Sequence, residues 1–298
     1  MGGFIKRRYH AKLLLFGEYT ILMGGTAIAI PLLLFYAEWK QGATEESDRS
    51  KQSLIRLREY LFELDMQGDL LCEMDFRAWL KDMEDEWWIT STIPSGYGVG
   101  SSGAITAAVY DRYALYKETN PNKLRAILAQ IESFFHGSSS GIDPLVSYLE
   151  EPVKITTENV KVLRRYPKMS GSIYLLDTAQ RRRASQFIDI FNEKRQDPAY
   201  EADLEQLKQL NENCISFWET SNNPEFRMAW KKISQLQANL FYEMIPNYCR
   251  TAWKKGGAST CSYSIKLCGA GGGGFLLLHA TAKFKEDMVN FDLIKIPI

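Results

Sequence analysis

The chain has no surplus of either charge, because its 298 residues carry 36 Lys and Arg against 36 Asp and Glu. Holding a nucleic-acid backbone calls for a basic excess, so nucleic acid is excluded as the expected partner. Cysteine is sparse: Cys72, Cys214, Cys249, Cys261 and Cys268 are odd in number and form no CxxC pair. That usage supports neither a disulfide framework nor a zinc site, and it fits a reducing cytoplasm. Only three histidines occur, His10, His136 and His279, too scattered to form a local metal motif. No apolar run approaches the roughly 20 residues of a membrane span, so no membrane association is expected. Lys6, Arg7 and Arg8 ahead of the apolar residues 13–16 imitate the start of a signal peptide, but Lys12 and Glu18 interrupt the stretch.

What is present is ordinary for a globular protein: 45% hydrophobic and 24% charged residues. The length allows one large domain or two smaller ones. Residues 13–16, 26–30 and 35–39 read as short strands, with turn signals at Gly24-Gly25 and at Pro31. Residues 41–51 are polar and read as a loop, and apolar positions 54, 55, 57, 61 and 64 predict a helix from Ser53 to near Asp65. A strand-like 87–93 precedes a glycine segment, and helices follow over 104–116 and 123–135, then a small-residue loop at 136–140. Beyond about residue 165 the pattern changes to a strand at 172–177, helices at 204–219 and 225–244, strands at 263–267 and 275–279, and a last strand at 291–298. Strands and helices mix without a βαβ rhythm, which predicts an α+β fold. The change of character predicts two domains, 1–165 and 166–298.

The segment Pro94-Ser95-Gly96-Tyr97-Gly98-Val99-Gly100-Ser101-Ser102-Gly103-Ala104 lies between a predicted strand and a predicted helix. Glycines at 96, 98 and 100 let backbone N–H groups converge on an anion. The helix that follows adds unpaired N–H groups and the positive end of its dipole. A phosphate chain suits both. Gly98, Gly100 and Gly103 formally spell GxGxxG, but a dinucleotide fold needs a strand after that helix and here another helix follows. A Walker A loop needs a lysine that Gly100-Ser101-Ser102 lacks, and the HRD and DFG signatures of protein kinases are missing.

Other polar residues acquire meaning from their order. Lys12 and Glu18 bracket the first strand, Glu132 and His136 stand four apart on one helical face, and Ser138-Ser139-Ser140-Gly141-Ile142-Asp143 delivers a carboxylate in a tight loop. Alone, each reads as well as a surface contact or a turn. Together the stretches Lys12–Tyr19, Pro94–Ala104, Glu132-x-x-x-His136-Gly137-x-x-Ser140-Gly141-x-Asp143 and Lys266–Gly274 resemble, in order, the motifs of the GHMP family of small-molecule kinases, its mevalonate-kinase branch most closely.

The resemblance implies an N-terminal mixed-sheet domain with a left-handed βαβ crossover, a ferredoxin-like C-terminal domain, and an active site between them. It implies ATP and Mg²⁺. Asp143 stands at the catalytic carboxylate and Lys12 at the lysine reaching the acceptor hydroxyl. Pro94, Gly96, Gly98, Gly100, Ser101, Ser102 and Gly103 fall in the phosphate loop, with Ser102 and Glu132 as metal ligands. Glu18, His136, Ser140, Gly269, Ala270 and Gly271 fall at the substrate. Asp177-Thr178 with Arg182 matches a further family stretch only in part, since Ala184 replaces a threonine.

Phosphoryl transfer needs chiefly positioning and charge neutralisation, and a hydroxyl nucleophile gains from a carboxylate base beside a cation. The expected acceptor is a small alcohol, mevalonate favoured. The alternatives are phosphomevalonate or a sugar, with Arg181-Arg182-Arg183 as a candidate phosphate contact, and, from another class, a silent ligand sensor. A homodimer is compatible with the sequence and not specified by it. Departures from the family pattern are Tyr19 for histidine, Gly103 for alanine, Ser139 for proline, Pro144 for asparagine and Cys268 for threonine.

Overall fold

The computed structural model describes residues 7–181, 184–281, 284, 288 and 290–297, with backbone only at 184 and 185. Strand β1 (Arg8–Phe16) pairs antiparallel with β2 (Ala27–Gln41). The sequence pattern had suggested two strands separated by a turn at Pro31, yet β2 runs straight through it. The register explains why. Pro31 faces Lys12, whose N–H points away from β2 to the carbonyl of Val99 at 2.8 Å. In such a non-hydrogen-bonded pair the missing proline N–H faces the other edge of β2. That edge is taken by β4 (Val153–Ile155) over Ala27, Ile28 and Ala29 and by β3 (Trp87–Ser91) from Ala37 onward. Pro31 lies in the gap between them, where no ladder bond is needed. A bulge follows, because His10 faces Tyr36 while Ala11 faces Leu32, so β2 holds three extra residues.

Strand β5 (Val160–Val162) completes this first sheet beside β4. All its described pairings are antiparallel. β3 and β4 both run against β2, hence parallel to one another, without being paired together. Between them the chain makes a layer of helices, α3 (Ser101–Tyr113), α4 (Pro121–His136) and α5 (Ile142–Leu149), preceded by α1 (Ser47–Gln67) and α2 (Phe76–Glu84). Helix α4 starts where Asn120 accepts from the N–H groups of Asn122 and Lys123, with Pro121 at the first position. Helix α1 begins at Ser47, inside the expected loop, because its first turns are polar and show no apolar period. Helix α2 is capped by Asp75, which accepts from Ala78 N–H at 2.9 Å, and buries Trp79 stacked on Tyr113 at 4.4 Å.

The second sheet has the order β7-β8-β6-β9, all antiparallel, from β6 (Ser172–Asp177), β7 (Tyr263–Leu267), β8 (Phe275–Ala280) and β9 (Leu293–Lys295). Helices α6 (Ala184–Gln196), α7 (Pro198–Glu219), α8 (Asn223–Leu240) and α9 (Arg250–Gly256) accompany it. Helices α7 and α8 also reach the first sheet. Phe16, at the end of β1, meets Trp218, Phe226 and Trp230 edge-on at 6.1, 6.1 and 5.8 Å. Asn211 of α7 donates to the carbonyl of Thr26 at 2.8 Å. The two sheets therefore share one apolar core.

Candidate active site

The backbone at 94–100 turns through conformations that only glycine adopts cheaply: φ is 81° at Gly96, 70° at Gly98 and 78° at Gly100. Gly100 is the N-cap of α3, and a Cβ there would stand 3.2 Å from Asp143 Oδ2 and 3.4 Å from Lys12 Cβ. The N-terminus of α3, with its unpaired N–H groups and positive dipole end, thus abuts the Lys12 and Asp143 side chains. Those two form an ion pair, Nζ to Oδ1, at 2.7 Å. The Lys12 side chain is 10% exposed and that of Asp143 29%, so the carboxylate is the more open partner.

Two glycines bring the helices close enough for this. Gly141 starts α5 at φ 72°, and a Cβ there would fall 2.2 Å from the Arg125 carbonyl of α4. Gly103 presses α3 onto α5, where a Cβ would lie 2.7 Å from the Asp143 carbonyl carbon and 2.8 Å from Pro144 N. Glycine at 103 is therefore a steric requirement of this chain.

Beside the pair, Ser102 Oγ donates to Glu132 Oε1 at 2.9 Å and lies 2.9 Å from His136 Nε2. The four-residue spacing on α4 puts Glu132 and His136 on the same face, as expected. Ser139 Oγ donates to the other Glu132 oxygen and accepts from Gly141 N–H. Nothing local in the sequence signals that the Ser139 hydroxyl turns back onto α4. Ser140 is exposed, with its Oγ 3.4 Å from Ile142 N–H. Ser101 opens α3 and is half-buried, and Pro94 is half-buried at the start of the turn.

Burial raises the carboxyl of Glu132 above the usual range, and the charge of Asp143 raises it further. A carboxylate and a serine hydroxyl are hard oxygen ligands, and Mg²⁺ characteristically takes one or two protein carboxylates plus phosphate oxygens. The donor set of Ser102 and Glu132 fits that ion. Among the described residues no cluster of three or more His, Cys, Asp or Glu forms a self-sufficient metal cage.

The second glycine run closes on the first. Gly274 abuts Tyr97 of the first run, where a Cβ would stand 2.6 Å from the Tyr97 carbonyl. Its N–H donates to the Gln180 carbonyl and its carbonyl accepts from Thr178 Oγ1, both at 2.6 Å. Arg182 lies outside the described residues, but Arg181 runs along Gly96, its Cβ 3.3 Å from where a Gly96 Cβ would be. Gly269 and Gly271 hold φ of 67° and 71°. The Ala270 carbonyl accepts from Tyr19 Oη at 2.6 Å, and Tyr19 itself packs between Phe191 at 4.8 Å and Phe241 at 4.9 Å. Glu18, expected at the substrate, is 4% exposed, and its carboxylate is held by Lys266 Nζ at 2.5 Å. Lys266, wholly buried, also faces the rings of Phe16 and Trp230 at 5.7 and 5.2 Å. Glu18 is an internal brace between the first and last motifs.

Residues 69–151, which span the glycine segment at 94–104, Glu132 and Asp143, match the family model for the GHMP kinases N terminal domain. No curated protein matches the sequence. Among solved structures, the chain is similar to the mevalonate kinase of Methanococcus jannaschii, at 16% identity and a TM-score of 0.66, covering 99% of this chain and 98% of that one. It is similar to the phosphomevalonate kinase of Streptococcus pneumoniae at 16% identity and a TM-score of 0.68, over 98% and 99% of the two chains. The galactokinase of Lactococcus lactis, complexed with galactose, is similar at 14% identity and a TM-score of 0.61, over 97% and 92%. Likenesses at such identities fix the fold and leave the substrate open. Residues 69–151 thus carry the signature of the GHMP kinases N terminal domain, and the chain as a whole has the two-sheet α+β fold of the GHMP kinase structures it resembles.

Proposed function

We propose that this protein is an ATP-dependent kinase that phosphorylates a hydroxyl group of a small molecule, with mevalonate as the favoured acceptor. The observation that carries the reading is the Lys12–Asp143 pair, 2.7 Å apart, set against the N-cap glycine of α3. Asp143 accepts the proton of the acceptor hydroxyl, and the Lys12 ammonium favours the developing alkoxide. Backbone amides of the loop from Gly96 to Gly103, with the dipole of α3, hold the phosphate chain. Mg²⁺ held by Ser102 and Glu132 supplies neutralisation of the phosphate charge when bound. The catalytic unit then consists of the first domain, residues 1–165, closed by the glycine loop of the second, residues 166–298.

A second acceptor, phosphomevalonate, is favoured by one feature: the exposed Arg181 alongside Gly96 offers a cation to a phosphorylated substrate. We also place the protein in the cytoplasm, since all five cysteines are free thiols; among the described residues no helix is long and apolar enough to cross a membrane. A coupled ADP-release assay with mevalonate, phosphomevalonate and galactose tests the reading. Turnover with mevalonate supports it, and turnover with another acceptor alone overturns the choice of substrate. ATP binding without turnover on any acceptor would favour a ligand sensor.

A further inference from the structure

A second pocket lies at the end of the second sheet far from the glycine loop. Strands β7 and β8 are joined by the Gly269–Gly274 run at one end. At the other end, where Thr281 N–H meets the Ser262 carbonyl at 3.0 Å, they and α8 line a pocket of about 360 Å³. That volume is within the range of small-ligand sites, roughly 300 to 1,000 Å³. Its floor is polar although deeply buried: Ser264 and His279 face one another across the ladder, 3% and 2% exposed. Its wall carries Arg227 and Lys231, one turn apart on α8, and no acidic side chain lines it among the described residues.

The two cations differ in role. The Lys231 ammonium is committed to the carbonyls of Ala258 at 2.5 Å, Cys261 at 3.2 Å and Ser259 at 3.5 Å. It thereby neutralises the carbonyl dipoles that would repel an anion. Arg227 is exposed and close enough to His279 for its charge to disfavour imidazole protonation. A guanidinium at the mouth of a hydroxyl-lined pocket matches the oxygens of a phosphate, which accept several hydrogen bonds at once. We propose that this pocket is a second ligand site, taking a small phosphate-bearing anion on the Arg227 guanidinium and the hydroxyls of Ser262 and Ser264.

The chain's three histidines make the test site-specific. His279 reports the pocket, His136 the catalytic cleft, and His10 serves as a control. Burial, aided by Arg227, lowers the His279 imidazole to about 4, so at pH 7.5 its ring signals report a ligand and not protonation. Labelled at histidine and titrated with inorganic phosphate, the protein should show a saturable shift of the His279 ring. R227Q should weaken that response about tenfold or more while leaving the His136 response to phosphate unchanged. A His279 signal that stays fixed, or that moves equally in R227Q, overturns the site. A His279 signal that responds to citrate but not to phosphate overturns the phosphate assignment.

Discussion

One added carbon at Gly103 would stand 2.7 Å from the backbone of Asp143, closer than packed carbons approach. Because the obstruction is backbone, α3 and α5 must separate for Gly103→Ala to fold. Overpacking of this kind costs roughly 1 to 3 kcal/mol, read as a lowered urea midpoint. The same displacement moves Asp143 relative to the α3 N-terminus, so kcat should fall with KM for ATP little changed. Asp143→Ala leaves packing nearly intact and removes the base, so turnover should drop roughly 100- to 10,000-fold while ATP binding, measured by calorimetry, persists. Tyr19→Phe keeps the packing against Phe191 and Phe241 but deletes the 2.6 Å bond to the Ala270 carbonyl. A loss of about 1 kcal/mol in stability is expected. If the tether positions the glycine loop for substrate, KM should rise more than kcat falls.

Elements that bury an apolar face on a regular period are legible in the sequence. β7, β8, α4 and helix α3 after the glycine segment all fall close to their expected places. Helix α8 ends at Leu240 where the pattern had suggested Met244, because a 3₁₀ turn at Tyr242–Met244 takes over the chain. Helices α2 and α6 were not anticipated, and α1 began late in the reading, because polar turns carry no period and short helices depend on caps such as Asp75. Pro31 misled for a related reason: proline forbids one ladder bond, and only the tertiary pairing shows that none was required there. The site followed the same rule. Lys12, Ser102, Glu132, His136 and Asp143 announced themselves by type and order, whereas the partners joining distant motifs did not. Lys266 lies 248 positions from Glu18, and no local pattern reports such a contact. Since the pair is buried at the junction of β1 and β7, Lys266→Met should cost roughly 3 to 5 kcal/mol by leaving an unpaired carboxylate. Adding Glu18→Gln to that variant should recover part of the loss in chemical denaturation, which a simple packing defect would not.

At the scale of the molecule, the two sheets are joined through aromatic side chains that also surround His279. Its ring lies 5.4 Å from Phe226 and 5.8 Å from Trp230, both of which meet Phe16 of the first sheet. The unfolded chain takes up a proton on histidine near pH 6.5, whereas burial lowers His279 in the fold to about 4. A depressed folded value means that the stability is intact above pH 6.5 and is lost as pH falls toward 4. Linkage over that window gives a loss of roughly 2 kcal/mol between pH 7 and pH 5. Urea midpoints measured at the two values should show it, and His279→Gln should remove most of the difference. Because α7 and α8 belong to the one core that both sheets share, the loss belongs to the whole chain and not to the second sheet alone. Tryptophan fluorescence and far-ultraviolet circular dichroism should therefore follow one coincident transition at either pH. If two separated transitions appear at pH 5, the aromatic junction is too weak to make the sheets a single cooperative unit.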